Sequence, residues 1–193
     1  MKKVRDHYFH KARREGHASR SIYKLEEIDR RHRLLRRGQR VLDLGAAPGS
    51  WLAYAAGRVG PSGSAVGLDL QQIREKFPPN VTLLQGDVFA SEPATLLAGG
   101  RPFDVVLSDM APPTSGIKAA DAARSAELAL RALELAGPLL APGGALLAKV
   151  FQGARMAELR AAFAETFSKV TLEKPKASRA ESVEIFLLGM GKR

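Results

Sequence analysis

The chain of 193 residues is long enough for one domain with a sizeable core, and its 45% hydrophobic and 26% charged residues are ordinary for a soluble globular protein. No apolar run approaches the roughly 20 residues that span a bilayer, and the N-terminal segment lacks the apolar stretch of a secretory signal. The absence of cysteine excludes disulfides and thiolate metal sites and is compatible with a cytoplasmic location.

The net charge of +10 is concentrated at the N-terminus. Residues 1–40 contain 14 Lys and Arg against 5 Asp and Glu, whereas the other 153 residues contain 16 against 15. A segregated basic segment favours a polyanionic partner such as a nucleic acid, because Lys and Arg displace the counterions condensed on phosphates. A solubilising tail is the alternative. An anionic membrane surface is disfavoured, since the segment has few large apolar residues to insert.

Segments of helix and strand character alternate along the rest of the chain. Ile22, Leu25 and Ile28 recur near helical spacing, which predicts a basic amphipathic helix over residues 20–35. The predicted strands comprise residues 40–45, 64–70, 81–88, 103–113, 143–151, 169–175 and 182–191, and the further predicted helices comprise residues 50–59, 121–140 and 156–167. Strands separated by helices indicate an α/β fold with a mostly parallel seven-stranded sheet. The last two strands, which no helix separates, predict an antiparallel hairpin at one edge.

The loop after the first strand, in the segment LDLGAAPGSW, indicates the kind of ligand. Ligands of such sheets bind beyond the carboxyl ends of the strands. A dinucleotide loop needs a second glycine where this chain has Ala47, and Pro48 lacks an amide that could meet a phosphate. No Walker-type Gly-Lys-Ser/Thr follows. The loop therefore suits a carboxylate or a nucleoside near a helix N-terminus, with a plain strand-to-helix turn as the alternative.

Two aspartates follow successive predicted strands. Asp69 ends the second strand, where an acid can accept both hydroxyls of an adenosine ribose, and Asp87 ends the third, where it can accept from the adenine amine. Either alone could be a turn or helix-capping residue. Together they fit an adenosine held without a pyrophosphate, and S-adenosylmethionine is such a ligand.

Four motifs, LDLGAAPGSW, LSDMAPP, LLAKVFQG and KPKASRAESVEIFLLGMG, resemble the RrmJ/FtsJ family of ribosomal RNA 2′-O-ribose methyltransferases. The resemblance extends from residue 18 to the C-terminus and implies a Rossmann-like fold that uses S-adenosylmethionine. Ser50 stands where bacterial members often have glycine, and we expect cofactor binding to survive because serine is small and starts helices well. The resemblance places the cofactor contacts at Gly49, Trp51, Asp69, Asp87 and Asp109.

The resemblance also implies a catalytic tetrad of Lys24, Asp109, Lys149 and Glu184. Lys149 and Glu184 each interrupt an apolar strand, which is costly unless the charge is paired or functional, although an outward edge face is the alternative. Asp109 follows a strand end, and only the resemblance singles out Lys24. We expect Lys149 to receive or orient the 2′-proton, Asp109 to fix its position, and the other two residues to complete a polar ring.

The resemblance suggests that the substrate is a uridine in the A-loop of large-subunit ribosomal RNA, within the assembled subunit. Residues 1–36 would form an RNA-contacting arm and helix, and residues 37–193 the methyltransferase domain. A monomer is expected. No metal site is predicted, because His7 and His10 lack a carboxylate or thiol partner at useful spacing. The candidate RNA contacts are Arg13, Arg14, Arg20, Arg30, Arg31, Arg33, Lys174, Lys176 and Arg179, with Tyr8 and Phe9 available to stack on bases.

Three other functions are compatible with parts of the pattern. One is a methyltransferase that acts on a base, a protein or another RNA. Methylation of a base is disfavoured, because no aromatic residue follows Pro112 and Pro113. A non-catalytic RNA-binding assembly factor would not need a complete tetrad. A nicotinamide dehydrogenase would need the missing glycines.

Overall fold

A computed structural model describes residues 7–97, 100–178 and 182–193. Within these ranges seven strands alternate with six helices. The strands are β1 (Arg40–Leu44), β2 (Ser64–Asp69), β3 (Val81–Gln85), β4 (Phe103–Ser108), β5 (Leu140–Phe151), β6 (Phe167–Glu173) and β7 (Glu184–Lys192). The helices are α1 (His7–Arg14), α2 (Ile22–His32), α3 (Ser50–Val59), α4 (Pro93–Leu97), α5 (Lys118–Leu139) and α6 (Met156–Thr166).

The strands form one sheet in the order β3-β2-β1-β4-β5-β7-β6. β1 to β5 pair in parallel, and β7 lies antiparallel between β5 and β6. The predicted α/β class, the seven-stranded sheet and the antiparallel hairpin at one edge are confirmed. The carboxyl ends of β1, β2, β3, β4 and β5 therefore meet at one edge of the sheet, where ligands of such folds bind.

Helices pack against both faces of the sheet. On one face α5 and α6 bury Leu135 and Phe163 against Leu42 and Val106 of the strands. The strands can bury side chains on both faces because neighbouring residues of a strand point to opposite faces of the sheet.

The opposite face is covered by α2 and α3. Leu25 of α2 and Trp51 of α3 belong to the same buried cluster as Leu107 of β4 and Phe186 of β7. The basic helix therefore contributes an apolar face to the core, and its charged face is left for solvent or a partner.

Three elements differ from the sequence prediction. α1 and α4 were not predicted, since α1 has only 8 residues and packs through Tyr8 and Ala12, and α4 has only 5 residues. β4 ends at Ser108 rather than at Pro113, because prolines lack the amide needed to continue a ladder. Within the described ranges, no helix combines the length and apolarity needed to cross a bilayer.

Candidate active site

A cavity of about 550 Å³ opens at the carboxyl edge of the sheet. It lies between the segments that follow β1, β2, β3 and β4. Asp69, Asp87 and Asp109 all line it, so three of the five predicted cofactor contacts come together in one cavity.

The turn after β1 forms one wall of the cavity. Gly45 has a φ of +78°, and a Cβ there would lie 2.5 Å from Cγ of Met110, so this close approach requires glycine. Asp69 holds the same turn, since its Oδ2 accepts from the Ala47 amide at 2.9 Å and its Oδ1 from the Gln71 amide at 2.8 Å. The Asp69 carboxylate is thereby fixed at the end of β2.

Apolar side chains accompany the carboxylates. Leu70 and Phe89 line the cavity although they are 66% and 53% exposed, which is unusual for side chains of this size. Asp87 is exposed and accepts from the Phe89 amide at 2.9 Å. The cavity therefore combines apolar walls with acceptor groups, as a nucleoside site requires.

Gly49 and Trp51 do not line this cavity. Gly49 begins α3 with a φ of +114°, and a Cβ there would lie 2.8 Å from Cζ of Phe77. Trp51 is only 3% exposed, donates from Nε1 to the Ser21 oxygen at 2.9 Å, and stacks on Phe186 at a ring distance of 5.7 Å. The Trp51 side chain thus packs in the core, which leaves only its backbone for a ligand contact.

Lys149 and Asp109 form the first pair of the predicted tetrad. Lys149, in β5, is buried; its Nζ lies 2.9 Å from Oδ1 of Asp109 and donates to the Asp109 backbone oxygen at 2.5 Å. Asp109 therefore belongs to both the cavity wall and the lysine site.

Lys24 and Glu184 form the second pair. Lys24, in α2, is 5% exposed, and its Nζ donates to Oε2 of Glu184 at 2.8 Å. Burial raises the pKa of Glu184, but the hydrogen bond from Lys24 and the charges of Lys24 and Lys149 outweigh burial and hold that pKa below its ordinary value. The Ser182 hydroxyl also donates to Glu184 at 3.1 Å.

The two pairs adjoin through β5 and β7. Lys149 pairs with Phe186 across these strands, and Phe151 pairs with Glu184. Lys24 Nζ lies 5.9 Å from the centre of the Phe186 ring. All four tetrad residues are therefore gathered at one place, from α2, β5, β7 and the loop after β4.

Asp43 is a residue of this region that the sequence analysis did not single out. It lies in β1 with no exposed surface, and neither carboxylate oxygen has a hydrogen-bond partner among the described residues. Burial raises its pKa well above the ordinary value, and the charges of Asp109 and Asp69 raise it further. The aspartate in the buried segment LDLG is the signal that could have indicated it.

Buried hydrogen bonds hold α2 in place. Asp29, which is 1% exposed, accepts from the Leu35 amide, the Tyr54 hydroxyl and Nε of Arg58 at 2.8 to 2.9 Å. At the other side of α2, Glu173 of β6 pairs with His32. These contacts fix the helix that carries Lys24.

The candidate RNA contacts are distributed over α1, α2 and the loop after β6. Arg13, Arg14, Arg30 and Arg33 are exposed. Arg31 instead forms ion pairs with Glu27 and Glu173.

The remaining candidates have mixed surroundings. Phe9 is 55% exposed, whereas Tyr8 packs on Tyr23 at a ring distance of 5.5 Å. Lys174 donates to the Ser182 oxygen and the Lys176 amide donates to Glu27. Arg20 is partly buried. Arg179 and the side chain of His7 lie outside the described part of the structure. No group of three or more potential metal ligands occurs in the described part.

A mostly parallel sheet with helices on both faces and a ligand cavity beyond the carboxyl ends of its strands is typical of Rossmann-like nucleotide-binding folds. Comparison with known proteins agrees, since the model of the FtsJ-like methyltransferase family matches residues 17–192. The chain belongs to this family, which confirms the resemblance found in the sequence.

Individual relatives support the assignment over nearly the whole chain. The ribosomal RNA large subunit methyltransferase E of Syntrophobacter fumaroxidans is 54% identical, covering 97% of this chain and 95% of the relative. The protein of the same name from Sorangium cellulosum is 52% identical, covering 94% of this chain and 85% of the relative. Among solved structures, one described as a ribosomal RNA methyltransferase of Plasmodium falciparum superposes with a TM-score of 0.79 at 28% identity, covering 90% and 97% of the two chains.

Proposed function

We propose that this methyltransferase transfers the methyl group of S-adenosylmethionine to a ribose 2′-hydroxyl of large-subunit ribosomal RNA. The target, by resemblance, is a uridine of the peptidyl-transferase A-loop in the assembled subunit. Relatives that are 54% and 52% identical carry the name of a large-subunit ribosomal RNA methyltransferase, which supports the substrate class.

The negative charge of the cavity is the observation that supports S-adenosylmethionine as the cofactor. Asp69, Asp87 and Asp109 line it. Clustered carboxylates repel the pyrophosphate of a dinucleotide and attract a ligand with cationic groups. S-adenosylmethionine carries a sulfonium and an ammonium, so its charge fits this cavity.

The remaining parts of the cofactor have matching groups. Asp69 accepts the ribose hydroxyls and Asp87 accepts from the adenine amine, while Leu70 and Phe89 pack on the adenine faces. The backbone of Gly49 and Trp51, at the start of α3, would meet the carboxylate of the methionine part.

The bound cofactor supplies an electrophilic methyl group on sulfur. The chain must therefore hold the 2′-oxygen in line with that methyl group and dispose of the hydroxyl proton. Lys149 Nζ is the proposed group. In its neutral form Nζ would accept the hydroxyl proton as the 2′-oxygen bonds to the methyl carbon, and the ammonium formed would pass that proton to solvent after the transfer.

Lys24, Glu184 and Asp109 support this role electrostatically. Asp109 fixes Lys149 through two contacts on Nζ. Lys24 and Glu184 form a second pair close enough for the Lys149 charge to lower the pKa of Glu184. The proposal assigns the displaced proton to this set of neighbouring groups as a whole.

The exposed arginines of α1 and of α2, the helix that also carries Lys24, are proposed to bind RNA phosphates. All four tetrad residues come from one chain, so a monomer is sufficient for the reaction. A cytoplasmic location is part of the proposal, because the proposed substrate is the large ribosomal subunit.

The test is transfer of labelled methyl from S-adenosylmethionine to large ribosomal subunits that lack the modification, followed by digestion and identification of the nucleoside. Wild type is compared with Lys149→Ala and with Lys169→Ala, a matched control for an exposed lysine of β6. We expect 2′-O-methyluridine with wild type and the control only. Label on a base would refute ribose methylation, and a protein that binds the cofactor but transfers no label would indicate a non-catalytic assembly factor.

A further inference from the structure

The loop between β4 and α5, residues 109–117, forms one wall of the cavity of about 550 Å³, and we call it the proline loop. Its first five residues, 109–113, all line the cavity, and they include Pro112 and Pro113. Proline has no amide hydrogen to donate, so this part of the loop has little means of holding its own backbone in place. The shape of the cavity therefore depends on the contacts that anchor the proline loop.

The start of the proline loop is anchored to the sheet. The carboxylate and the backbone oxygen of Asp109 both contact Nζ of Lys149. Met110 lies against the turn after β1, where a Cβ on Gly45 would be 2.5 Å from Cγ of Met110. These contacts come from β5 and from the turn after β1, so they hold the start of the loop without help from α5.

The end of the proline loop is anchored by Asp121, which lies in the first turn of α5 and is 7% exposed. Its Oδ1 accepts from the amide and the hydroxyl of Ser115, both at 2.8 Å, and its Oδ2 accepts from the Gly116 amide at 3.2 Å. The hydrogen bond from the Ser115 amide is the main reason that the pKa of Asp121 lies below its ordinary value, so the carboxylate is ionised at neutral pH. Asp121 itself does not line the cavity.

Arg124, which lies three residues further along α5, connects Asp121 to the cavity wall. Its Nη2 donates to Oδ1 of Asp121 at 2.5 Å and to the Pro113 oxygen at 3.2 Å. In the described part of the chain, the bond to Pro113 is the single hydrogen bond made by residues 110–114. Nε of Arg124 is buried and has no partner among the described residues. The guanidinium is therefore held to the wall through Nη2, and Asp121 holds Nη2.

Arg124 also carries the charge in the cavity that opposes the proposed cofactor. Among the described residues that line the cavity it is the single lysine or arginine, whereas three aspartates and Glu127 are acidic. S-adenosylmethionine carries a sulfonium and an ammonium, so an unpaired guanidinium at this wall would repel it. The ion pair with Asp121 offsets that charge and keeps the side chain on Pro113.

We infer that Asp121 is a positioning residue of the cofactor site. It fixes the proline loop through Ser115 and Gly116, and it holds Arg124 against the loop with its charge compensated. The inference rests on the proposed function, because it takes S-adenosylmethionine as the occupant of the cavity. Asp121 acts through these groups and does not touch the cofactor.

The first test is calorimetric titration of the protein with S-adenosylmethionine. We expect the Kd to rise about 10-fold in Asp121→Ala and about 3-fold in Asp121→Asn, which keeps one acceptor oxygen but loses the charge. Ser115→Ala, which removes only the hydroxyl contact, should raise the Kd about 2-fold. These two milder variants replace Asp121→Ala if it does not fold.

Glu158→Ala is the matched control for the titration. Glu158 lies in the first turn of α6 and pairs with Arg155 at 2.7 Å, so the variant also removes an acid and an arginine contact from the start of a helix. Its Kd should equal that of wild type. An unchanged Kd in the Asp121 variants, or an equal rise in Glu158→Ala, would overturn the inference.

The second test asks whether Asp121 acts through Arg124. The effect of Asp121→Ala on the Kd is measured again in the Arg124→Gln background, which has no guanidinium to hold. We expect the effect to shrink from about 10-fold to about 3-fold or less, because only the contacts with Ser115 and Gly116 remain to be lost. An effect that stays at about 10-fold would show that Asp121 acts independently of Arg124, and the inference would fail.

The third test separates positioning from a general structural role. In steady-state methyl transfer to large ribosomal subunits, Asp121→Asn should raise KM for S-adenosylmethionine about 3-fold while kcat stays within about 2-fold of wild type, since Asp109 and Lys149 keep their own contacts. A lower kcat at an unchanged KM, or fewer cofactor sites per chain at an unchanged Kd, would indicate a loss of folded protein and overturn the inference. Wild type that binds the cofactor but methylates no ribose would instead refute the proposed function, and the comparison of Kd values would still decide the role of Asp121.

Discussion

Lys149 and Asp109 are joined by two contacts at a single nitrogen: Nζ lies 2.9 Å from the Asp109 carboxylate and 2.5 Å from the Asp109 backbone oxygen. The lysine is 6% exposed and lies in the buried part of β5, residues 144–150. A lysine in that position is costly unless it is paired. The two contacts with Asp109 hold Nζ of Lys149 at the carboxyl edge of the sheet, beside the cavity that Asp109 lines.

Lys149→Ala should abolish methyl transfer while leaving the cofactor site intact. We expect the rate to fall by about 10² to 10⁴, the usual contribution of a positioned proton-transfer group. Cofactor affinity should stay within a few-fold, because Lys149 does not line the cavity of about 550 Å³. Single-turnover methyl transfer and calorimetric titration with S-adenosylmethionine measure the two quantities. A loss of cofactor binding would show instead that Lys149 maintains the structure.

Glu184→Gln should destabilise the protein in a manner that depends on pH. The pKa of Glu184 is below its ordinary value in the folded state, so the ionised carboxylate stabilises the fold above the unfolded-state pKa. That stability is lost as the pH falls through the lowered pKa. At pH 7 the variant should lose about 1–2 kcal/mol of unfolding free energy, and the difference from wild type should shrink below about pH 4.5. Urea unfolding of both proteins at pH 7 and below about pH 4.5 measures this difference in unfolding free energy. A difference that grows as the pH falls would contradict the lowered pKa of Glu184.

The sequence predicts the sheet better than the contacts of its helices. The strand-like segments and the turns that bound them are local signals in the sequence, and they predict all seven strands. α1 carries no such signal, because its buried contacts are made by Tyr8 and Ala12 with Tyr23 and with Ala177, which lies after β6. A helix stabilised by a partner so distant in sequence cannot be found from periodicity.

The residues of the candidate site likewise divide into those that a local sequence signal marks and those that only the fold brings together. Asp69 is the last residue of β2 and Asp87 lies two residues after β3, so the strand ends mark both. Lys24 is one cation among many on α2, and its partner Glu184 is 160 residues away. Asp43 escapes notice because its electrostatic surroundings are formed only when Asp69 and Asp109 come together from two other strands.

Asp87→Asn should weaken cofactor binding without preventing catalysis. The substitution keeps the size of the side chain and an acceptor oxygen but removes the charge, which makes the proposed hydrogen bond from the adenine amine roughly twice as strong as a neutral one. Hydrogen bonds to charged groups contribute about 1.5–3 kcal/mol, so loss of about half of that should raise the Kd for S-adenosylmethionine about 3- to 10-fold. Glu165→Asn, at the exposed end of α6, is the control. An unchanged Kd would remove Asp87 from the proposed site.

Arg30→Ala should reduce both the affinity for RNA and its dependence on salt. Arg30 is exposed on α2, on the face opposite the core. Loss of one phosphate contact lowers the slope of log K against log salt by about 1. Arg160→Ala is the matched control, because Arg160 is exposed on α6 at the other face of the sheet. Binding titrations at several salt concentrations give the slopes, and a flat response in wild type would contradict phosphate binding by this surface.

Asp43→Asn should stabilise the ligand-free protein, and more strongly as the pH rises. In the folded state burial raises the pKa of Asp43, and so do the charges of Asp109 and Asp69. The folded state therefore holds a proton that the unfolded chain releases, and the unfolding free energy falls as the pH rises from the unfolded-state pKa toward the raised pKa. Asparagine has no charge to bury, so the unfolding free energy of the variant does not fall in this way as the pH rises.

The unfolding free energy of Asp43→Asn should thus exceed that of wild type by more at pH 8 than at pH 5. Asp104→Asn provides the control, since Asp104 is partly exposed at the opposite end of the sheet. Burial raises the pKa of Asp104, but its hydrogen bonds and the charge of Arg101 outweigh burial and leave that pKa below its ordinary value. Its effect should have the opposite sign, with stability lost at neutral pH. If Asp43→Asn destabilises the protein equally at both pH values, the carboxyl group makes a hydrogen bond that stabilises the fold, and it is not a buried acid in need of a proton.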